Sequence, residues 1–265
     1  MFDESCSRAA LLPEKGHDLV PDLKKQWRDF VGACQDVFFP LVCPCCHGVM
    51  APVDRLLCPS CFSRLQFIGE PHCLCCGEVF SGSGKNHLCG VCLRRRRAFD
   101  RARSPFVYEQ VVAHLIHSLK YAGHQHGVAT LCGLIQQSGV LRELHQPDII
   151  IPVPLHVKRL RSRGFNQALV LAKGVFPDTS DIIRCDVLTR TIDTPSQTGL
   201  SGIERRQSLQ NAFALARPDE VADKRILLFD DVFTTGATAE ECAKVLRKAG
   251  ARGIEVLTVC RAVKR

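Results

Sequence analysis

Four Cys-x-x-Cys pairs, Cys43/Cys46, Cys58/Cys61, Cys73/Cys76 and Cys89/Cys92, are packed into one stretch of the chain. Each pair brings two thiolates onto one tight turn, and two successive pairs supply the four soft ligands of a tetrahedral metal site. The pairs are separated by eleven, eleven and twelve residues, so the stretch reads as an internal duplication, a double zinc ribbon with two structural zinc ions. A thioredoxin-like redox site needs one such motif on an α/β scaffold, not four in a row. Pairing first with second and third with fourth is the simpler arrangement, and spacing alone leaves an interleaved cross-brace open. Cys45 and Cys75 sit inside their pairs and read as spectators, with replacement of a neighbouring ligand by either left open. With Pro44, Pro52, Pro59 and Pro71 the stretch is loop-rich and buries little core, so metal must hold it.

A different chemistry is written between Ile226 and Thr238, ILLFDDVFTTGAT. Ile226 to Phe229 is an apolar run of the kind a buried parallel strand shows. From Thr238 to Ala249, Ala239, Cys242, Ala243, Leu246 and Ala249 recur at helical spacing, and a second apolar run covers Ile254 to Val259. The unit is β-loop-α-β, and its ligands belong beyond the carboxyl ends of the strands. Asp230 and Asp231 fall there. Their carboxylates can accept ribose hydroxyls, while Thr234, Thr235 and Thr238 donate and Gly236 lets the backbone approach a phosphate at the helix start beside Ala237. The same residues have plainer uses: Thr238 with Glu241 makes a capping box, and an acidic pair can hold a metal. No Gly-Lys-Ser/Thr follows, which removes a Walker-type loop.

A second buried run, Ile149 to Val153, lies between Pro147 and Pro154 and leads into Lys158, Arg159, Arg161 and Arg163. Four cations beyond a strand end suit an anion. A further run, Arg94 to Arg97, follows the last cysteine pair; it can meet nucleic-acid phosphates or offset the negative zinc sites. The formal charge is +8, and two zinc ions each held by four thiolates bring it to about +4. The chain of 265 residues, 46% hydrophobic, can bury one good core and carry a small extra module. It shows no apolar run of membrane-spanning length and no signal-peptide h-region, so a cytoplasmic protein is expected.

The segment IIPVPLHVKRLRSRGFNQA from Ile150, with HSLKYAG from His117, RTIDTPSQTGL from Arg190 and ERRQSLQNAF through Phe213, resembles the ComF family, also called GntX-like. Members join a cysteine-rich zinc module to a type I phosphoribosyltransferase domain, and the string around Asp230 resembles that fold's phosphoribosyl-pyrophosphate signature. The resemblance implies an α/β protein: a mainly parallel sheet with helices on both faces, preceded by a small double zinc ribbon that serves as a lid or docking arm. It divides the chain into an N-terminal segment (1–40), the ribbons (41–98) and a phosphoribosyltransferase domain (99–265). It further implies that Asp230 and Asp231 hold the ribose hydroxyls, that Thr234 to Thr238 hold the 5′-phosphate, and that Lys158, Arg159, Arg163 and Arg190 face the pyrophosphate, with Mg²⁺ bound alongside. Thr189 to Asn211 would include a closing loop.

RTIDTPSQTGL also looks like part of glutamine amidophosphoribosyltransferase, but the N-terminal Cys nucleophile of that enzyme's glutaminase half is missing. By the resemblance the chain belongs to DNA uptake in natural transformation. It acts there either as a glycosyltransferase moving the phosphoribosyl group to a nitrogenous acceptor, or as a non-catalytic module that binds single-stranded DNA or DNA-uptake proteins and uses the fold as a nucleotide sensor. Before the ribbons, Leu19, Leu23, Trp27, Phe30, Val31 and Cys34 mark an amphipathic helix, and Met1 to Gly16 read as loosely ordered. His114, His117, His124 and His126 are taken as ordinary histidines.

Overall fold

The structure, a computed structural model, describes Trp27 and residues 41–51, 53, 56–122, 125–193 and 208–263. The amphipathic helix expected from Leu19 to Cys34 lies outside these residues, apart from an exposed, helical Trp27, and so do residues 1–16 and 194–207.

The three apolar runs form the sheet. β1 (Arg101–Arg103) and β2 (Phe106–Val107) are two pieces of one edge, interrupted at Ser104 and Pro105, and both pair parallel with β7 (Gly253–Arg261). β7 pairs parallel with β6 (Arg225–Phe233), and β6 with β3 (Ile149–Pro152), in register Ile149↔Ile226. A proline at the start of a broken edge strand removes no needed ladder bond. Alternate residues of the central strands point to opposite faces: Leu227 and Phe229 join one core, Ile226 and Leu228 the other. The first core is closed by helices α3 (Gln110–Ala122), α4 (Gln125–Gln137) and α6 (Gln167–Val175), through Leu115, Leu131 and Leu171. The second is closed by α7 (Ala237–Lys248), through Cys242, Ala243 and Leu246. Helices therefore cover both faces of a parallel sheet, and burial on both sides is why the strands read as continuous apolar runs. A separate antiparallel pair, β4 (Leu188–Arg190) with β5 (Phe213–Leu215), flanks residues 191–212.

Short helices α1 (Pro59–Phe62) and α2 (Gly90–Arg94) start at Cys58 and Cys89, and each carries one cysteine of a pair. The ribbons do not stand apart as a lid or docking arm. Instead Cys43, Leu57 and Cys61 enter the first core and Cys73, Cys76 and Cys92 the second, within one compact unit from Val42 to Arg265. The physical reason is that a short ribbon leaves apolar turns unburied, and the sheet's two helical layers offer the nearest apolar surface.

Candidate functional site

β6 runs to Phe233, beyond the Phe229 boundary read from hydropathy, because β7 keeps pairing with it after β3 has ended at Pro152. Asp230 and Asp231 are thus still strand residues, half-buried, on the stretch of β6 that β3 leaves uncovered. The Asp230 carboxylate accepts the backbone N–H of Asp231 at 2.8 Å. Two residues further, the chain turns through Thr234 and Thr235 into α7. The N-cap is Gly236, at φ +73°, and no side chain among the described residues caps the helix, so the capping box expected at Thr238 and Glu241 does not form. Gly236 is required there: its φ is left-handed, and a Cβ would lie 2.5 Å from Phe233 Cζ. An uncapped helix start leaves amide donors available to an anion. Thr235 Oγ1 is buried and has no hydrogen-bond partner among the described residues. Ala237 is buried, and Thr234 and Thr238 line the same small cavity with Val153, Asp230 and Thr258.

The basic loop is helical, α5 (Val157–Arg163), capped by His156 and closed by Gly164. Its cations do not act as one group. Lys158 is exposed and lies 3.6 Å from Asp193, which His156 also approaches at 3.5 Å. Arg163 donates to Gln167 Oε1 at 2.8 Å, which ties it to the start of α6. Arg159 instead shares a field with Arg190 of β4: burial, and then the Arg159 cation, hold Arg190 below the usual arginine range, and Asp230 pulls the other way. Asp230, Arg159 and Arg190 are therefore electrostatic neighbours, an arrangement that suits a polyanionic ligand between them. Cys242, read only as an apolar helix residue, is fully buried beside this group, and burial reinforced by Asp230 keeps its thiol neutral.

The cysteines group as the simpler pairing required. The sulfurs of Cys43, Cys46, Cys58 and Cys61 all lie within 4.8 Å of one another, as do those of Cys73, Cys76, Cys89 and Cys92; Cys45 and Cys75 stay outside both sets. Zn–S bonds of about 2.3 Å put the edge of a tetrahedron near ~3.8 Å. Sγ–Sγ separations of 3.6 Å for Cys46–Cys58 and 3.7 Å for Cys76–Cys89 fit it. The surroundings fit as well: Arg64 donates to Cys61 Sγ at 3.2 Å, and Arg97 hydrogen-bonds Cys92. His114 and His117 lie on α3 and join no metal-binding group among the described residues; His124 and His126 fall outside those whose side chains are described.

The arginine run does not act as one group. Arg97 is buried against Cys92 and Glu240, Arg95 reaches Glu240 at 3.9 Å, and Arg94 and Arg96 are exposed. Arg96 lines a groove of about 690 Å³ with Lys244, Arg247, Lys248 and Arg252. It lies on the side of the unit where β7 begins. Helical spacing puts Lys244, Arg247 and Lys248 on one face of α7, but no local signal brings Arg96 to them.

Residues 34–93 match the family described as a double zinc ribbon domain. Competence protein F of Haemophilus influenzae is 32% identical over 235 residues, covering 85% of this chain and 99% of that protein. The chain belongs to the ComF family. DNA utilization protein YhgH of Escherichia coli strain K12 is likewise 32% identical, over 84% of this chain and 97% of its own length. Competence protein ComFC of Streptococcus pneumoniae is 24% identical over 78% and 89%. Among solved structures, an allosteric regulatory enzyme of purine biosynthesis matches at 17% identity and a TM-score of 0.31, over 50% of this chain and 25% of that one. No described helix is long and apolar enough to cross a membrane.

Proposed function

We propose that this ComF-family chain binds phosphoribosyl pyrophosphate with Mg²⁺ at the carboxyl end of β6 and serves, in the cytoplasm, the handling of DNA taken up by the cell. In this reading residues 41–98 are the ribbon module, residues 99–265 the phosphoribosyltransferase domain and residues 1–40 a leading segment. One observation carries the donor site: the buried Thr235 hydroxyl lacks a partner among the described residues, in a loop that opens onto an uncapped helix start. A buried hydroxyl left unpaired is costly, and a 5′-phosphate supplies the missing acceptor.

The roles follow from position. Asp230 and Asp231 accept the ribose 2′ and 3′ hydroxyls, and the amides after Gly236 with Thr234, Thr235 and Thr238 hold the 5′-phosphate. Arg190 and Arg159 face the pyrophosphate, with Lys158 and Arg163 further along α5. The carboxylate oxygens suit a hard cation, and Mg²⁺ when bound spreads the charge of the diphosphate and ribose oxygens. In transfer, a nitrogen acceptor forms a bond to the anomeric carbon as the bond to pyrophosphate oxygen breaks. The charge that grows on the leaving group is met by Arg190 and Arg159, so catalysis is electrostatic and no side chain becomes covalently attached. Pyrophosphate release, measured across nucleobases and single-stranded oligonucleotides, tests this. Release with any of them identifies the acceptor class, and donor binding without release leaves a sensor.

The groove beside Arg96 favours a second role, contact with the phosphates of single-stranded DNA. The names of the relatives, a competence protein and DNA utilization proteins, support DNA as the biological setting.

A further inference from the structure

We infer that the second cysteine site positions the donor loop through two buried residues, Arg97 and Arg261, so that losing its metal loosens residues 234–240. The inference rests on the donor reading for its consequence, though not for its geometry.

Arg261, the last residue of β7, is 4% exposed. It donates to the Cys76 carbonyl oxygen at 2.6 Å, places Nη2 3.9 Å from Cys76 Sγ and pairs with Glu78. Its guanidinium lies over the Phe233 ring, 4.7 Å from the centroid. Phe233 in turn fills the space next to Gly236. One continuous row of contacts thus joins a metal-ligating turn to the N-cap of α7.

Arg97 makes the other row. Its side chain is 8% exposed, hydrogen-bonds Cys92 and approaches Glu240 at 3.8 Å. Glu240 is 5% exposed, sits in the first turn of α7 and also accepts the Ala98 N–H at 3.4 Å. The Nε atoms of both arginines are buried without a hydrogen-bond partner among the described residues, so each guanidinium is held by the contacts at its other end. A buried cation of this kind keeps its place only while its partners keep theirs. The Cys76 and Cys92 turns are fixed by the metal they share, and releasing them removes one anchor from each arginine.

The first cysteine site shows no such link among the described residues. Its arginine, Arg64, belongs to the same ribbon and bonds back to Ser60 and Cys61. Cys43, Cys58 and Cys61 pack instead in the core closed by α3 and α4, and Cys46 is exposed. The two sites therefore differ in what they hold, although their ligand sets are alike.

The test compares Cys89→Ser with Cys46→Ser in the full chain, since neither residue is the one that contacts Arg97 or Arg261. Zinc content, hydrogen exchange at residues 234–240 and calorimetry with phosphoribosyl pyrophosphate and Mg²⁺ are measured on each. Both variants should lose one zinc. Only Cys89→Ser should speed exchange in the loop and weaken donor affinity, each by about tenfold, in the usual range of coupling between sites. If Cys89→Ser does not fold, Arg261→Gln with two zinc ions retained should show the same faster exchange. Equal effects of both cysteine variants, or unchanged exchange when the second metal or Arg261 is removed, overturns the inference. A parent protein that carries two zinc ions and binds no donor overturns the donor reading alone, because the exchange comparison still decides the coupling.

Discussion

A Cβ placed on Gly236 would lie 2.5 Å from Phe233 Cζ, so the residue that caps α7 and the aromatic that ends β6 fix one another. Gly236→Ala therefore meets two penalties, the left-handed φ of 73° and the collision with the ring. Together they should cost about 2–4 kcal/mol of stability, read from urea unfolding. Adding Phe233→Leu should recover the collision part and leave the φ part. A Gly236→Ala protein as stable as the parent would contradict the geometry.

Asp230→Asn with Asp231→Asn preserves shape while weakening the acceptors for ribose hydroxyls. Each charged hydrogen bond removed is worth ~1.5–3 kcal/mol, so donor affinity should fall by about 2 kcal/mol or more. Titration calorimetry with Mg²⁺ present reads this directly. Affinity unchanged in the double variant would remove the acidic pair from the site.

Much of this arrangement is legible in the chain because local chemistry repeats itself. The cysteine intervals point to two four-sulfur groups, and the runs at Ile149, Ile226 and Ile254 to three parallel strands, since strands buried on both faces need no alternation. Spacing misleads at the cap. Thr238 and Glu241 are placed as a capping box would be, but the chain turns two residues earlier, where Gly236 alone tolerates the φ and leaves the amides open. Arg261 and Glu240 carry no local signal for a different reason: each is partnered more than a hundred residues away, and no period in the sequence marks such a contact.

Packing of both ribbons into the sheet's cores has a consequence for metal removal. Elemental analysis should find two zinc ions per chain, and Cys58→Ser should lose one. Chelation should lower the thermal midpoint of the whole unit from Val42 to Arg265, because Cys43 and Cys61 are core residues on one face and Cys73 and Cys76 on the other. A sheet that unfolds at the same temperature with and without chelator would show that the ribbons are independent after all.

The groove near Arg96 offers a way to separate the two roles of the arginine run. Arg247 and Arg252 are engaged by Asp100 and Asp148, and Lys244 by Glu241, which leaves Arg96 and Lys248 as the groove's exposed cations without an ion pair among the described residues. If single-stranded DNA crosses here, Arg96→Gln with Lys248→Gln should reduce the slope of log affinity against log salt by about 1.4, at ~0.7 for each phosphate that is no longer neutralised. Zinc content should not change, because neither side chain touches a cysteine cluster. Arg97→Gln should behave in the opposite way, lowering thermal stability while leaving the salt slope intact, since its guanidinium is buried between Cys92 and Glu240. Oligonucleotide anisotropy across a salt series, run beside the Asp230→Asn/Asp231→Asn protein, decides the matter. A slope unmoved by the groove variant, or moved as much by the acidic-pair variant, would place the DNA elsewhere.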